Sequence, residues 1–267
     1  MPGKVFLVGA GPGDPELLTL KAMRVLRSAD VVLHDALISK EVLAFVPKTT
    51  EVRNVGKRCG KRSTPQSEIN ALLVQYALLG LQVVRLKGGD PLIFGRGGEE
   101  IEALRNANID FEIVPGVTAA LGAAAAAQIP LTHRDLASAV MVLTSHSKDA
   151  SSSHLHWPRQ IPPDTTLVIY MPGHDYGSTT CELMTAGVKD ATPCALISRA
   201  TSREQKVFVT TMKDLPSAPH LPAPTLLIVG EVARFAAQEL LEGSTIFSAL
   251  ASSAESYLLQ ENQEMAE

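Results

Sequence analysis

The chain has 267 residues, is 45% hydrophobic and 19% charged, and carries a formal net charge of −4. These values fit a well-cored protein of one large or two ordinary domains, and nothing in them points to nucleic acid or a membrane surface as a partner. The N-terminus lacks the long apolar stretch of a signal peptide, and the most apolar run (Val117 to Leu131) is too short to span a bilayer, so a cytoplasmic setting is expected.

In chain order, VFLVG predicts a first strand running into the loop GAGPGD, Gly9 to Asp14. Glu16 to Leu26 then places Leu17, Leu20, Val25 and Leu26 at helical spacing. VVLH runs into Asp35, EVRNV into the basic loop GKRCGKR, QVVRL into KGGDP, and FEIV into PGVTAA. Thr64 and Pro65 read as cap and first residue of a helix carrying Ile69, Leu72, Leu73 and Tyr76. Glu99 to Asn106 predicts a short helix and Val117 to Gln128 a buried one. Alternating strands and helices imply a mostly parallel sheet, and ligands bind outside the carboxyl ends of such strands. The glycines, acids and bases of this half therefore converge on one rim, as a small-molecule site requires.

Composition changes after Thr144, where Ser145 to Asp164 is rich in Ser, His and Pro and reads as a loop. A second α/β domain is expected from SAVMVLT onward. Its further strands are Thr166 to Tyr170, Cys194 to Ser198, Lys206 to Thr210 and Leu226 to Val229, with helices at Thr179 to Ala186 and Val232 to Leu241. The expected organisation is an N-terminal α/β domain (1–135), a C-terminal α/β domain (136–241) and a partly frayed tail (242–267). Cys59, Cys181 and Cys194 are odd in number and lack C-x-x-C spacing, which favours reduced thiols over a disulfide framework.

GAGPGD departs from the dinucleotide fingerprint G-x-G-x-x-G, because Asp14 stands in the sixth position. KGGDPLIFGRGGEE is more specific. A tight turn accounts for one glycine but not for Gly88, Gly89, Gly95, Gly97 and Gly98 together. Asp90 there could accept from an ammonium or a ribose hydroxyl. Lys57, Arg58, Lys61 and Arg62 form a basic loop on the same rim, and Arg96, His133 and Arg134 could extend it into a site for a polycarboxylate. Asp35 could cap the turn that follows it, but Ser39 is an equally good cap, which leaves Asp35 freer for chemistry. His154 and His156 have no cysteine or carboxylate nearby in sequence, so no metal is expected.

VGAGPGDPELLTLKA, ADVVLHDALIS, GKR followed by TPQSEIN, KGGDPLIFGRGGEE, VPGVTAA and IPLTHR together resemble the tetrapyrrole methylases, and within them the uroporphyrinogen III C-methyltransferases. The likeness spans Val8 to Arg134 nearly without a gap and continues more loosely through Tyr170–Met171, TPCALISRATSREQ and LLIVGEV. It implies two α/β domains, with a mostly parallel sheet in the first, a mixed sheet in the second and the active site in the cleft between them, in a homodimer. It implies S-adenosylmethionine as methyl donor, S-adenosylhomocysteine as product, no metal, and a small-molecule tetrapyrrole as substrate. The reaction implied is methylation of uroporphyrinogen III at C2 and C7 to precorrin-2, towards siroheme or cobalamin. Donor contacts carry over to Pro12, Gly88, Gly89, Asp90, Ile93, Thr118, Ala119, Met171, Ala200 and Thr225, and the acid/base pair to Asp35 and Lys57. Arg58, Lys61, Arg62, Arg96, His133 and Arg134 would hold the substrate's carboxylates. Leu92 replaces the usual Phe after GGDP, the usual Tyr before IPLTHR is missing, and TSH replaces TGH; these changes bear on the substrate pocket. The rival readings are a methylase of a later precorrin and a non-catalytic donor-binding module. Dehydrogenase and chelatase activities of fused relatives are not expected.

Overall fold

A computed structural model of the protein describes residues 2–56, 64–145 and 157–236. Strands β1 (Val5–Gly9), β2 (Val31–His34), β3 (Glu51–Asn54), β4 (Val83–Lys87) and β5 (Phe111–Val114) form one sheet in the order β3-β2-β4-β1-β5. Every neighbouring pair is parallel. β2 and β4 are buried along their whole length, as strands covered on both faces must be.

Side-chain alternation assigns the two faces. Val8, Val32, Val84 and Leu86 pack with Ala22, Val25 and Leu26 of α1 (Leu20–Arg27) and Val42 of α2 (Lys40–Leu43). Leu7, Val31, Leu33 and Val83 pack with Ile69, Leu73 and Ala77 of α3 (Gln66–Leu78) and Leu104 of α4 (Gly97–Asn106). The chain thus moves out to β3 along one face and back along the other, the course that connections of constant hand produce. Adjacent strands β1 and β4 consequently send their loops to opposite faces, β1 towards α1 and β4 towards α4. That divergence is the topological switch point, where open α/β sheets bind ligands.

The second sheet is mixed. β6 (Ala139–Thr144), β7 (Thr165–Tyr170), β8 (Pro193–Ser198), β9 (Lys206–Thr211) and β10 (Thr225–Val229) lie in the order β6-β7-β10-β8-β9. Only β6 and β7 pair in parallel. Leu167, Ile169, Leu196 and Leu227 pack on Tyr176 and Leu183 of α6 (Tyr176–Thr185). Two compact units result, one of residues 1–123 with Ala200–Arg203 and the other of Ala124–Arg199 with the described residues from Glu204 on. The division falls inside α5 (Ala119–Ala126), earlier than residue 135.

Several local expectations need correction. The helix expected over Glu16 to Leu26 is broken in two. Asp14 caps a 3-10 turn at Pro15–Leu17, and Thr19 then caps α1 by accepting from the Ala22 N–H at 3.1 Å. Leu20 is left 81% exposed, off the packed stripe. Pro65 is the N-cap of α3 and not its first helical residue, and no side chain caps that end. α4 starts at Gly97, and α6 starts at Tyr176 with Asp175 as its cap. Of the helix expected over Val232 to Leu241, a 3-10 helix at Glu231–Phe235 is present, and the remainder lies outside the described residues. The 242–267 tail and most of the Ser145 to Asp164 loop, with His154 and His156, also lie outside them.

Candidate active site

At the switch point the loops after β1 and β4 are tied together. Gly11 N–H donates to the Gly89 carbonyl (3.2 Å) and Gly89 N–H to the Gly11 carbonyl (2.8 Å). Gly89 has φ +66°, a left-handed conformation that favours glycine. Behind it Gly9 and Gly116 pack on the Gly89 backbone without room for side chains of their own. A Cβ on Gly9 would lie 2.5 Å from the Gly116 nitrogen and 2.6 Å from the Gly89 oxygen, and one on Gly116 would collide with that same oxygen. Gly88 is different: it is exposed, and a Cβ there would meet nothing within 4 Å. The rim thus offers bare backbone facing open space, which suits a ligand read through main-chain groups.

Asp90 joins the third loop to this assembly. Its Oδ1 accepts from the Leu92 N–H (2.8 Å) and its Oδ2 from the Gly116 N–H (3.1 Å). Pro12 sits against Gly122 of α5, where a Cβ would come within 2.5 Å of the proline ring. Thr201 Oγ1 accepts from the Asp14 N–H at 3.1 Å, which brings Ala200 beside Gly13. A Cβ on Gly89 would lie 3.4 Å from the Ala119 nitrogen and 3.7 Å from the Thr118 Cα, so Pro12, Gly89, Asp90, Thr118, Ala119 and Ala200 are neighbours in the first unit. Ile93, with Leu92 and Phe94, is exposed just beyond Asp90, at 40%, 56% and 42% respectively.

Asp35 follows β2 on the same edge, and Ser39 Oγ does cap α2 by accepting from the Val42 N–H. Asp35 is nonetheless not free of partners. Its Oδ1 is ion-paired with the Arg85 guanidinium, whose Nε donates to Glu100 Oε1 at 2.9 Å. Lys87 Nζ donates to both oxygens of Glu100, at 3.0 and 2.9 Å. Arg85, Lys87 and Glu100 are 2%, 1% and 0% exposed. The alternation of β4 explains the placement, since residues 83, 85 and 87 face α3 and α4. Burial opposes the charge on Arg85, but Asp35 and Glu100 outweigh it and hold its pKa above the ordinary value. Burial and then the Arg85 charge depress the pKa of Lys87. Charged residues at alternate positions of an apolar strand, VVRLK, with GRGGEE downstream, were the sequence signal for this group; it was missed.

Lys57, Arg58, Lys61 and Arg62 lie outside the described residues. Gly56, the last described residue before them, packs on the Asp35–Ala36 backbone. Arg96 forks onto Glu99, Nε to Oε1 at 2.8 Å and Nη2 to Oε2 at 2.7 Å, with half its side chain exposed. In the second unit, Met171 follows β7 with φ +50° and Thr225 opens the adjacent β10, so both sit at one end of that sheet. His133 stacks on Phe235 with its Nδ1 accepting from the Asp135 N–H, and Arg134 is exposed. Among the described residues no group of three or more His, Cys, Asp or Glu could hold a metal, and no helix is long and apolar enough to cross a membrane.

Comparison with known proteins adds an independent line. Residues 4–216 match the family of tetrapyrrole (corrin/porphyrin) methylases. The chain is 48% identical to a uroporphyrinogen-III C-methyltransferase of Paracoccus denitrificans, over 88% of this chain and 83% of that protein. It is 49% identical to a siroheme synthase of Nitrosospira multiformis over 86% of its own length, and it spans about half the length (49%) of that relative. A solved uroporphyrin-III C-methyltransferase of Thermus thermophilus superposes with a TM-score of 0.76 at 44% identity, covering 92% of this chain and 99% of that one. A Thermus thermophilus uroporphyrin-III C-methyltransferase structure complexed with S-adenosylhomocysteine superposes at 0.73 and 37% identity, covering 87% of this chain and 94% of that one. The parallel first sheet, the mixed second sheet, the bridged glycine loops and these likenesses agree: the chain belongs to the tetrapyrrole methylases.

Proposed function

We propose that this chain transfers methyl groups from S-adenosylmethionine to carbons 2 and 7 of uroporphyrinogen III, giving precorrin-2 by way of precorrin-1. The observation that carries the reading is the paired glycine loops at the β1/β4 switch point with Asp35 on the same sheet edge. The likeness to the Paracoccus enzyme and to the Thermus structure holding S-adenosylhomocysteine supports it.

The residues present fit such a donor. Gly88 leaves open space where a side chain would stand, and Gly89 turns its backbone into the left-handed region. Pro12, Gly88, Gly89, Asp90, Ile93, Thr118, Ala119 and Ala200 are its proposed contacts in the first unit, and Met171 and Thr225 those in the second. When bound, the donor supplies an electrophilic methyl carbon on its sulfonium.

This chain's own contribution is mainly positioning, because an electron-rich pyrrole carbon needs alignment more than activation. Asp35 has one oxygen tied to Arg85 and a side chain 31% exposed, so its other oxygen, Oδ2, is the proposed acceptor for the proton the ring gives up. Lys57 is proposed as its acid/base partner. Lys57's neighbours Arg58, Lys61 and Arg62, with Arg96, His133 and Arg134, are proposed to hold acetate and propionate carboxylates. The same reading includes a homodimer in the cytoplasm working without a metal, in siroheme or cobalamin synthesis.

Anaerobic incubation with uroporphyrinogen III and S-adenosylmethionine, followed by mass spectrometry of the tetrapyrrole, tests the reaction. A gain of two methyl groups with the absorption of precorrin-2 is the expected result. An unchanged tetrapyrrole with donor bound would overturn it.

A further inference from the structure

The acid/base reading uses Asp35 but leaves three buried charged residues without a task. Arg85, Lys87 and Glu100 lie on the side of β4 that faces α3 and α4, all nearly excluded from solvent. Such a group carries a large desolvation cost, and apolar residues of similar volume often serve a core as well or better. Its geometry shows a direction. Lys87 Nζ holds both carboxylate oxygens of Glu100 (3.0 and 2.9 Å), and Gln66 Nε2 adds a third donor at 3.2 Å. Glu100 Oε1 in turn fixes Arg85 through Nε at 2.9 Å. Arg85 Nη1 is held by the carbonyls of Leu33 and Leu86, both at 3.3 Å. Only Nη2 reaches out of the core, and it ends on Asp35 Oδ1.

We infer that Arg85, locked by Glu100 and Lys87, is the positioning residue for the proposed base. It anchors one oxygen of Asp35 so that the other faces the rim in a fixed orientation. The logic is that of any base oriented by a third group. This inference rests on the acid/base reading of Asp35. The planar guanidinium is essential to it, because a single side chain must bond Glu100 through one nitrogen, two carbonyls through a second and Asp35 through a third. An ammonium at the same place keeps the charge but loses that fork. Glu100 lies in the first turn of α4, and Lys87 is the residue before Gly88. The orienting group is thus built into the ends of the glycine motif.

A double-mutant cycle in the full-length protein tests this, using uroporphyrinogen III and S-adenosylmethionine for turnover and calorimetry for S-adenosylhomocysteine affinity. Arg85→Lys should lower kcat about 10²-fold, the scale of a misplaced reacting group, with KM and product affinity within about twofold. Asp35→Asn should give a loss of similar or larger size. The double variant should be no slower than Asp35→Asn alone, because Arg85 acts only through Asp35. A double variant slower by the product of the two single losses would show that Arg85 acts independently, and would overturn the inference while leaving Asp35 as the base. Full activity in Asp35→Asn would instead remove the acid/base reading and the inference with it. Should Arg85→Lys melt below the assay temperature, Glu100→Asp carries the same cycle. It keeps the charge but retracts the carboxylate that holds Arg85, and about a tenfold loss that vanishes in the Asp35→Asn background is expected.

Discussion

The carboxylate of Asp90 spans two loops: its Oδ2 accepts from the Gly116 N–H after β5, while its Oδ1 closes its own turn onto Leu92. Sequence reading offered this side chain to a ligand hydroxyl or ammonium, but both of its oxygens serve backbone amides. Asp90→Asn can satisfy only one of those amides and turns a donor towards the other. We expect it to lower stability by about 1–3 kcal/mol, measured by urea denaturation, and to weaken S-adenosylhomocysteine binding in calorimetry. Unchanged stability with lost binding would show that Asp90 acts by direct ligand contact alone.

Gly116→Ala should be far more damaging than Gly98→Ala. The first puts a methyl group into the backbone of Gly89 and Gly9, and neither neighbour is a flexible side chain. About 1–3 kcal/mol of overpacking is expected, with loss of donor affinity. The second puts a methyl group into open space within α4 and should be neutral or stabilising by up to about 1 kcal/mol. Thermal melts of both variants decide the matter.

The pH dependence of stability carries a signature of Lys87. Burial holds its folded-state pKa below the ordinary 10.5, so the folded chain binds fewer protons than the unfolded chain between those two values. This contribution to stability is greatest above the ordinary value and is lost as pH falls through the folded one. Lys87→Met removes it. The stability of the parent minus that of Lys87→Met should therefore rise as urea denaturations are moved from neutral to alkaline pH. A flat difference would count against a desolvated ammonium.

Arg96→Ala should separate binding from folding. Its pairing with Glu99 is a half-exposed i,i+3 contact, of a kind that contributes about 0–1 kcal/mol. The melting temperature should barely move, while KM for the tetrapyrrole rises if Arg96 leaves Glu99 to hold a substrate carboxylate. An unchanged KM would remove Arg96 from the carboxylate-binding set.

The strands were legible because parallel sheets buried on both faces write themselves as unbroken apolar runs. VFLVG and VVLH appear where they were read. Helix starts were less legible, since they depend on which polar side chain intercepts a backbone amide: Thr19 won that competition inside a segment that looked continuous. The rim was visible as glycine loops after strands. The buried charges behind it were missed, because the alternating Arg85 and Lys87 of VVRLK mark a charged face without saying that their partners stand on α4 and after β2. The four-residue return of Ala200–Arg203 to the first unit was not legible from composition or periodicity.

The reciprocal bonds between Gly11 and Gly89 have a consequence for engineering. The loops after β1 and β4 are far apart in sequence, yet each completes the other's main-chain pairing, so they behave as a single cassette. A graft that transplants only one of them from a relative with a different tetrapyrrole preference would leave the other without its partner. Chimaeras that exchange both together should be the ones that retain donor affinity.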